Sequence, residues 1–193
     1  MTFHGQPTGY RLSDFWRWYS SDLLNNTLRG AYAEFIVSSA LGAEIRKTYE
    51  DWTPWDITVP AVWTDPAGAE RIEIRAEVKS SAYLQSWPQK KFSRIVFGIR
   101  PTLAWSETAG YESDPHRQSD VYIFCLYRVK DRTRAEPLDL DGWTFYVLPT
   151  AVLDELCGRQ KTITLPSLLR LKPVETDYAG IADAVKLVLG IER

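Results

Sequence analysis

The stretch RIEIRAEVKSSAYLQSW, residues 71–87, predicts the strand around which the rest of the chain is arranged. Over its first nine residues, apolar side chains alternate with charged ones, which is the pattern of a strand with one buried face. The charged face ends with a carboxylate at Glu77 and an amine at Lys79. Two interpretations are open: this face is simply solvated, or its last pair does chemistry.

A second strand is predicted directly before this one. WDITVPAVW, residues 55–63, is rich in residues that favour strands, and DPAG at 65–68 has the composition of a turn. Residues 55–80 are therefore predicted to form an antiparallel hairpin. Asp56 is flanked by two large apolar residues, and an acidic side chain inside an apolar strand requires a partner. In the antiparallel pairing, Asp56 comes close to Glu77.

A helix is predicted before the hairpin, over about residues 27–41. Asn26 or Thr27 can cap its start, and Gly42 suits its end. Glu34 lies on a stripe of small and apolar residues, which predicts that its carboxylate is partly buried and close to a cation. The alternative is a surface carboxylate that pairs with a neighbouring arginine.

The remaining patterns predict an α/β protein, in which helices lie on the faces of a mixed sheet. The other predicted elements are a short helix with an aromatic face at 13–25, strands at 94–99, 120–129 and 143–150, and helices at 150–158 and 177–190. The pattern of residues 81–95 favours neither a helix nor a strand. The polar segment 100–120 is rich in turn formers and is predicted to be a long loop.

Length and composition fit a single domain. The 193 residues are 45% hydrophobic and 25% charged, which suffices for one sizeable core. The domain is predicted to contain an N-terminal aromatic segment, a core and C-terminal helices, at 1–26, 27–150 and 151–193. Its two cysteines do not make a disulfide framework, and no segment has the pattern of a signal peptide or a membrane span. A reduced, cytoplasmic protein without membrane contact is the expectation.

Basic residues are concentrated in residues 71–100. This segment contains seven Lys or Arg and two Glu, whereas the whole chain has a net charge of -2. Such a strip can contact a polyanion, or it can be an ordinary solvated face. The candidate contacts to nucleic acid are Lys90, Lys91 and Arg94 for phosphates, and Trp87, Trp105 and the 100–120 loop for bases.

Asp56, Glu77 and Lys79 form a coherent hydrolytic set. Mg²⁺ binds oxygen ligands, retains several waters and commonly takes one or two carboxylates plus a substrate phosphate. Such an ion lowers the pKa of a bound water and stabilises charge on a phosphodiester under attack. The nearby Lys79 ammonium would orient that water or offset the growing charge.

Three motifs in this order resemble the PD-(D/E)XK nuclease superfamily, which includes restriction endonucleases, Holliday-junction resolvases and repair nucleases. They match, in turn, the family's Glu-bearing helix, its acidic strand and its E-x-K strand. The motifs are RGAYAEFIVSSALG at 29–42, PWDITV at 54–59 and IEIRAEVKSS at 72–81. The resemblance covers about residues 27–150.

This resemblance implies a restriction-endonuclease-like fold, in which one helix is followed by a three-strand unit, another helix and further strands. It also implies hydrolysis of DNA with Mg²⁺ or Mn²⁺. Carried over residue by residue, Asp56 and Glu77 would bind the metal, and the Val78 carbonyl would complete the coordination. Lys79 would position the attacking water, and Glu34 would support the metal or its waters.

Further substrate contacts are predicted just after the E-x-K motif. Ser80 can bind a phosphate through its hydroxyl, and Gln85 can help to position substrate or water. DNA is the expected partner, RNA stays open as a substrate, and a two-fold homodimer is the simplest way to cut both strands. Two alternatives also stay open: a non-catalytic nucleic-acid-binding or interaction module that retains the fold, and a structural protein whose Trp-rich segment 15–19 forms an interface.

Overall fold

The structure is a computed structural model that describes residues 1–44, 53–103, 105–106, 110–111 and 113–191. At residues 105, 106 and 111 it describes the backbone only. The predicted base contact of Trp105 and part of the predicted 100–120 loop therefore lie outside the described residues.

The longest helix and the two longest strands follow one another in the first half of the chain. In chain order, the strands and helices are β1 (Thr2–Phe3), β2 (Gln6–Pro7), α1 (Leu12–Tyr19), α2 (Asn26–Leu41), β3 (Ile57–Thr64), β4 (Glu70–Ala82), β5 (Val96–Gly98), β6 (Trp105–Ser106), β7 (Gly110–Tyr111), β8 (Val121–Tyr127), β9 (Trp143–Pro149), α3 (Thr150–Cys157), β10 (Thr162–Thr164), α4 (Leu165–Arg170), β11 (Val174–Thr176) and α5 (Ile181–Leu189). Single 3₁₀ turns lie at Arg132–Arg134 and Leu140–Gly142.

Strand β4 lies inside a five-stranded mixed sheet with the order β11-β9-β8-β4-β3. It pairs antiparallel with β3, which confirms the predicted hairpin, and parallel with β8. Every residue of β8 is buried, as expected for a strand that is covered on both faces. The sheet is flanked by helices, so the predicted α/β class is confirmed.

The two faces of the sheet pack against different elements. Ile74, Ala76 and Val78 of β4 belong to a core that also contains buried residues of α2 and α5. The opposite face carries Tyr122 and Phe124 of β8, which pack in a second core with β5, β10, α3 and α4. Because strand side chains alternate, the charged residues of β4 from Arg71 to Lys79 lie on this second face.

Helix α2 begins and ends with specific caps. Its N-cap is Asn25, whose side-chain oxygen accepts hydrogen bonds from the amides of Thr27 at 3.0 Å and Leu28 at 3.4 Å. The prediction of Asn26 or Thr27 as the cap was therefore wrong, because only the preceding residue has the non-helical backbone that turns its side chain onto these amides. Gly42 ends the helix in the left-handed conformation, with φ 67°, as predicted.

A β-bulge interrupts the pairing of β3 with β4. Pro60 pairs with Glu73 and Trp63 pairs with Arg71, so that two residues of β3 lie opposite the single residue Ile72. Pro60 has no amide hydrogen to donate to a ladder, and an edge strand with a bulge is where a proline is tolerated. The Trp63 indole donates to the Glu73 carbonyl at 2.9 Å and fixes the bulge.

The structure differs from the expectations in several places. Helix α1 ends at Tyr19 rather than at residue 25, has no buried residue, and is followed by turns. The resemblance implied a three-strand unit followed by a helix, but α2 is followed by the two-strand hairpin, and the described residues between β4 and β8 contain no helix. The C-terminal region contains β10 and β11 besides its helices, and β11 joins the main sheet. None of the described helices is long and apolar enough to cross a membrane.

Candidate active site

The hairpin pairing brings Asp56 onto the edge of β4. Ile57 pairs with Ala76, and the Asp56 amide donates to the Ala76 carbonyl at 3.1 Å. The Asp56 carboxylate then accepts a hydrogen bond of 2.6 Å from the Val78 amide through Oδ2. The Asp56 side chain thus accepts the hydrogen bond that a backbone carbonyl would accept if β3 began two residues earlier. The bond to the Val78 amide fixes the position of the Asp56 carboxylate.

Two carboxylates share one ammonium at this point. Lys79 Nζ lies 2.6 Å from Glu77 Oε1 and 3.6 Å from Asp56 Oδ2. Since both oxygens lie this close to the same nitrogen, they are at most about 6 Å apart. Two ligands of one Mg²⁺ at roughly 2.1 Å are at most about 4 Å apart, so both carboxylates can bind one ion after a side-chain rotation that closes any remaining gap. The side chains of Asp56, Glu77 and Lys79 are 24%, 18% and 30% exposed, which leaves access to a substrate.

Burial and like charge perturb the titration of this cluster. Burial raises the pKa of Glu77, and the charge of Asp56 raises it further, while the ammonium of Lys79 opposes both. Burial lowers the pKa of Lys79, but the carboxylates of Glu77 and Asp56 outweigh this effect, and the pKa of Lys79 is raised overall. The cluster therefore has an excess of negative charge that a bound cation would relieve.

Glu34 lies near this cluster, on helix α2. Its side chain is half-buried, as its position among small and apolar residues predicted. Its charge contributes to the raised pKa of Lys79, which places the carboxylate within electrostatic reach of the ammonium. The structure therefore brings Asp56 and Glu77 onto Lys79, with Glu34 in electrostatic reach of the ammonium.

The donor set suits a hard divalent cation. The N–H and C=O of one strand residue point to the same side, so the Val78 carbonyl faces the edge on which its amide binds Asp56. Two carboxylates and a carbonyl are oxygen ligands, and Mg²⁺ can complete its coordination with water and phosphate. In the part of the chain that the structure describes, no group of three or more His, Cys, Asp or Glu is arranged to hold a metal ion.

Two neighbouring residues of the site were not identified from the sequence. Tyr122 pairs in register with Glu77 in the parallel ladder, and its pKa is raised by burial and by the charge of Glu77. Asp120 accepts a hydrogen bond of 2.7 Å from the Arg75 amide and lies 3.3 Å from the Arg71 guanidinium. The parallel pairing of β4 with β8 places both residues, and no local pattern signals that pairing.

The predicted nucleic-acid contacts do not join the cluster. Ser80 pairs with Cys125 and lies on the opposite face of β4, which packs against α2. Gln85 is buried, and its side chain donates to the Ala82 carbonyl at 3.1 Å, so it organises the end of the strand. The remaining predicted contacts are exposed and lie beyond the end of β4: Lys90, Lys91 and Arg94.

Comparisons with known proteins do not assign this chain to a family. A scan against models of protein families finds no match, and a search of curated proteins finds none.

Proposed function

We propose that the protein is a metal-dependent nuclease that hydrolyses phosphodiester bonds of DNA, with a restriction-endonuclease-like core. The observation that carries this proposal is the convergence of the Asp56 and Glu77 carboxylates on Lys79 Nζ, at 3.6 and 2.6 Å. The E-x-K residues lie on one face of a central strand, and the Asp is fixed beside them by the Val78 amide. The half-buried Glu34 adds a fourth group from α2.

In this mechanism, Asp56 and Glu77 would hold Mg²⁺ or Mn²⁺, and the Val78 carbonyl would contribute a further oxygen. When bound, the ion supplies a water of lowered pKa and stabilises charge on the phosphate. Lys79 remains protonated at neutral pH, since its pKa is raised above its ordinary value. Its ammonium is then available to orient the attacking water and to offset charge on the phosphate oxygens. Glu34 would support the metal or its waters.

A second candidate function is a nucleic-acid-binding or interaction module without catalysis. One observation favours it: Asp56 Oδ2 already accepts from the Val78 amide and lies in ion-pair range of Lys79. The short contact between Lys79 and Glu77 also gives the cluster a structural role without any metal. Such a module would retain DNA but leave every phosphodiester bond intact.

The test is a cleavage assay on plasmid and single-stranded DNA with Mg²⁺, Mn²⁺ or EDTA. The wild-type protein is compared with Asp56→Asn and Lys79→Ala, and with Glu70→Gln as the matched control, because Glu70 is exposed at the start of β4. The proposal requires cutting that depends on the metal, is lost in the first two variants and is retained in the control. Cutting that survives both substitutions rejects this site. Salt-sensitive DNA binding without cutting under any metal condition favours the non-catalytic module.

A further inference from the structure

Two loops meet beyond the C-terminal ends of β4 and β8. These parallel strands end at the same edge of the sheet, with Ala82 opposite Tyr127. The loop of residues 83–94 follows β4, and the loop of residues 128–134 follows β8. We refer to them together as the two-loop surface.

Direct contacts join the two loops. The Arg132 guanidinium donates to the carbonyls of Gln85 at 2.7 Å and Trp87 at 3.0 Å. Lys130 Nζ lies over the ring of Tyr83, 4.4 Å from its centroid, and 5.9 Å from that of Phe92. Residues about 45 positions apart in the chain therefore form one continuous surface.

The first loop is held in one conformation by its own side chains. Gln89 Oε1 accepts from the Gln85 amide at 2.7 Å, and Gln89 Nε2 donates to Ser93 Oγ at 3.0 Å and to the Tyr83 carbonyl at 3.3 Å. The Ser93 amide also donates to the Tyr83 carbonyl, at 3.0 Å. Four polar residues thus fix a segment that has no regular structure, so the surface is preorganised for a ligand.

The two-loop surface combines positive charge with exposed aromatic rings. Its loops contain seven Lys or Arg and one acidic residue, Asp131, in a chain whose net charge is -2. The Asp131 carboxylate is occupied by hydrogen bonds from the amide and hydroxyl of Thr133. Trp87 and Phe92 are each 51% exposed. The basic residues are Lys90, Lys91, Arg94, Arg128, Lys130, Arg132 and Arg134.

We infer that the two-loop surface binds an unpaired stretch of a DNA strand. Cations that follow a phosphate backbone, beside aromatic rings on which bases stack, are the two parts of a single-strand binding site. Bases in a duplex are stacked on each other and present no free face to Trp87 or Phe92. The choice of DNA rests on the proposed nuclease function, whereas the surface itself rests on the loop contacts.

The two-loop surface lies at a short distance along β4 from the proposed cleavage site. Tyr83 packs in the same core as Tyr122, and therefore lies on the same side of the sheet as Glu77 and Lys79. Three residues, 80–82, separate Lys79 from Tyr83, a rise of about 13 Å along an extended chain. The substrate class is thus DNA with an unpaired stretch a few nucleotides from the bond that is cut.

The experiment measures binding in EDTA, so that no cleavage occurs. Fluorescence anisotropy compares a labelled thymidine oligonucleotide with a blunt duplex, each of about 20 nucleotides per strand, so that the site is fully covered. The variant is Trp87→Leu with Phe92→Leu. The control is Phe15→Leu with Trp18→Leu, because these rings on α1 are 47% and 76% exposed. We expect the oligonucleotide to bind the variant about tenfold to a hundredfold more weakly. Duplex affinity and the control should change by less than about threefold, since neither involves stacking on these rings.

A second variant tests the charge without altering the rings. Lys90→Gln with Lys91→Gln should reduce the magnitude of the salt slope of oligonucleotide binding by about 1.4, since each phosphate contact contributes about 0.7 on single strands. Unchanged oligonucleotide binding in the ring variant, or an equal loss on duplex and oligonucleotide, overturns the inference. Binding of the oligonucleotide that depends on these rings, without any DNA cleavage, would support the single-strand site and reject the nuclease function. Cleavage together with oligonucleotide binding that does not depend on these rings would support the nuclease function and reject the single-strand site.

Discussion

Along the charged face of β4, residues 71–75 and residues 77–79 show the same alternation in sequence, but their partners differ. In the first half, the Arg71 guanidinium lies 3.6 Å from Asp65 and 3.3 Å from Asp120. Arg75 Nε lies 2.7 Å from Glu73, and the Arg75 guanidinium lies 4.1 Å from the centre of the Trp55 ring. Three carboxylates, those of Asp65, Glu73 and Asp120, are therefore shared between two guanidinium groups, one of which also contacts a ring.

In the second half, Lys79 is the cation that lies within ion-pair range of both Glu77 and Asp56, and Glu34 adds further negative charge. The pKa of Glu77 is raised, which shows that burial and Asp56 outweigh Lys79. Three carboxylates thus act on one cation at residues 77–79 but are shared between two cations at residues 71–75, and we expect only the first arrangement to favour a bound metal ion. Four measurements test this expectation.

The largest expected difference is in cleavage. Glu77→Gln should lower metal-dependent cutting by about a hundredfold to a thousandfold, because it removes a ligand that holds the metal charge against the reacting phosphate. Glu73→Gln, two residues earlier on the same face, should stay within about threefold, because a surface ion pair contributes little. Initial rates on one substrate at saturating Mg²⁺ compare the two variants. Equal losses would remove the distinction between the halves.

The second-largest expected effect is the dependence of Mg²⁺ affinity on pH. The metal requires an ionised Glu77, whose pKa lies above its ordinary value of 4.5. Below that raised pKa, the association constant should fall about tenfold per pH unit, hence about a hundredfold over two units. Calorimetric titration of Mg²⁺ between pH 8 and pH 4 measures this, with Glu73→Gln as a control of unchanged profile. An affinity that stays constant down to pH 4.5 would contradict the role of Glu77.

A smaller effect is expected on stability without metal. Lys79→Met leaves two partly buried carboxylates without their ammonium and should lower the free energy of unfolding by about 2 kcal/mol at pH 7.5. Arg75→Met should cost less than about 1 kcal/mol, because its ion pair is more exposed. Urea unfolding in EDTA provides both values.

The pH dependence of this loss has a definite sign. A carboxyl whose folded pKa is raised contributes stability below its unfolded pKa and loses it as pH rises through the folded pKa. The penalty of Lys79→Met should therefore be largest above the raised pKa of Glu77 and should shrink as pH falls toward 4.5. A greater loss in Arg75→Met than in Lys79→Met would reverse the comparison.

The smallest expected effect is that of Glu34→Gln. Glu34 acts on the cluster through the electrostatic field and through waters of the metal, so cutting at limiting Mg²⁺ should fall by about tenfold, the lower end of the range for outer partners. Raising Mg²⁺ should restore most of the rate. Glu70→Gln is the control, and a loss that excess Mg²⁺ does not restore would instead give Glu34 a direct role in the reaction.

Local patterns predicted much of the framework. Helix α2 with its Gly42 stop, the β3–β4 hairpin, β8, β9 and α3 follow periodicity and turn composition that lie within short windows. The proximity of Asp56 to Glu77 also followed, because an antiparallel hairpin fixes its register locally. The pattern could not distinguish residues 71–75 from residues 77–79, since their difference depends on partners from other segments, such as Asp120.

Features made by distant pairing could not be predicted. The parallel ladder of β4 with β8 joins strands separated by almost 40 residues, and it alone places Tyr122 beside Glu77. Strands β10 and β11 have three residues each, and their extended form comes from the neighbours with which they pair. The contact of Arg132 with Gln85 depends on the same ladder, because parallel strands bring their following loops together.

The bulge between Pro60 and Trp63 divides the β3–β4 ladder into two parts, one beside the turn and one beside Asp56. At a bulge, a ladder can change its register without moving the pairs on its other side. We therefore expect Ile57 to stay opposite Ala76, and Asp56 to stay on the Val78 amide, when the length of the turn at 65–69 is changed. The hairpin tip is therefore a position where an affinity tag, a fluorophore or a second protein could be inserted while the carboxylates keep their spacing.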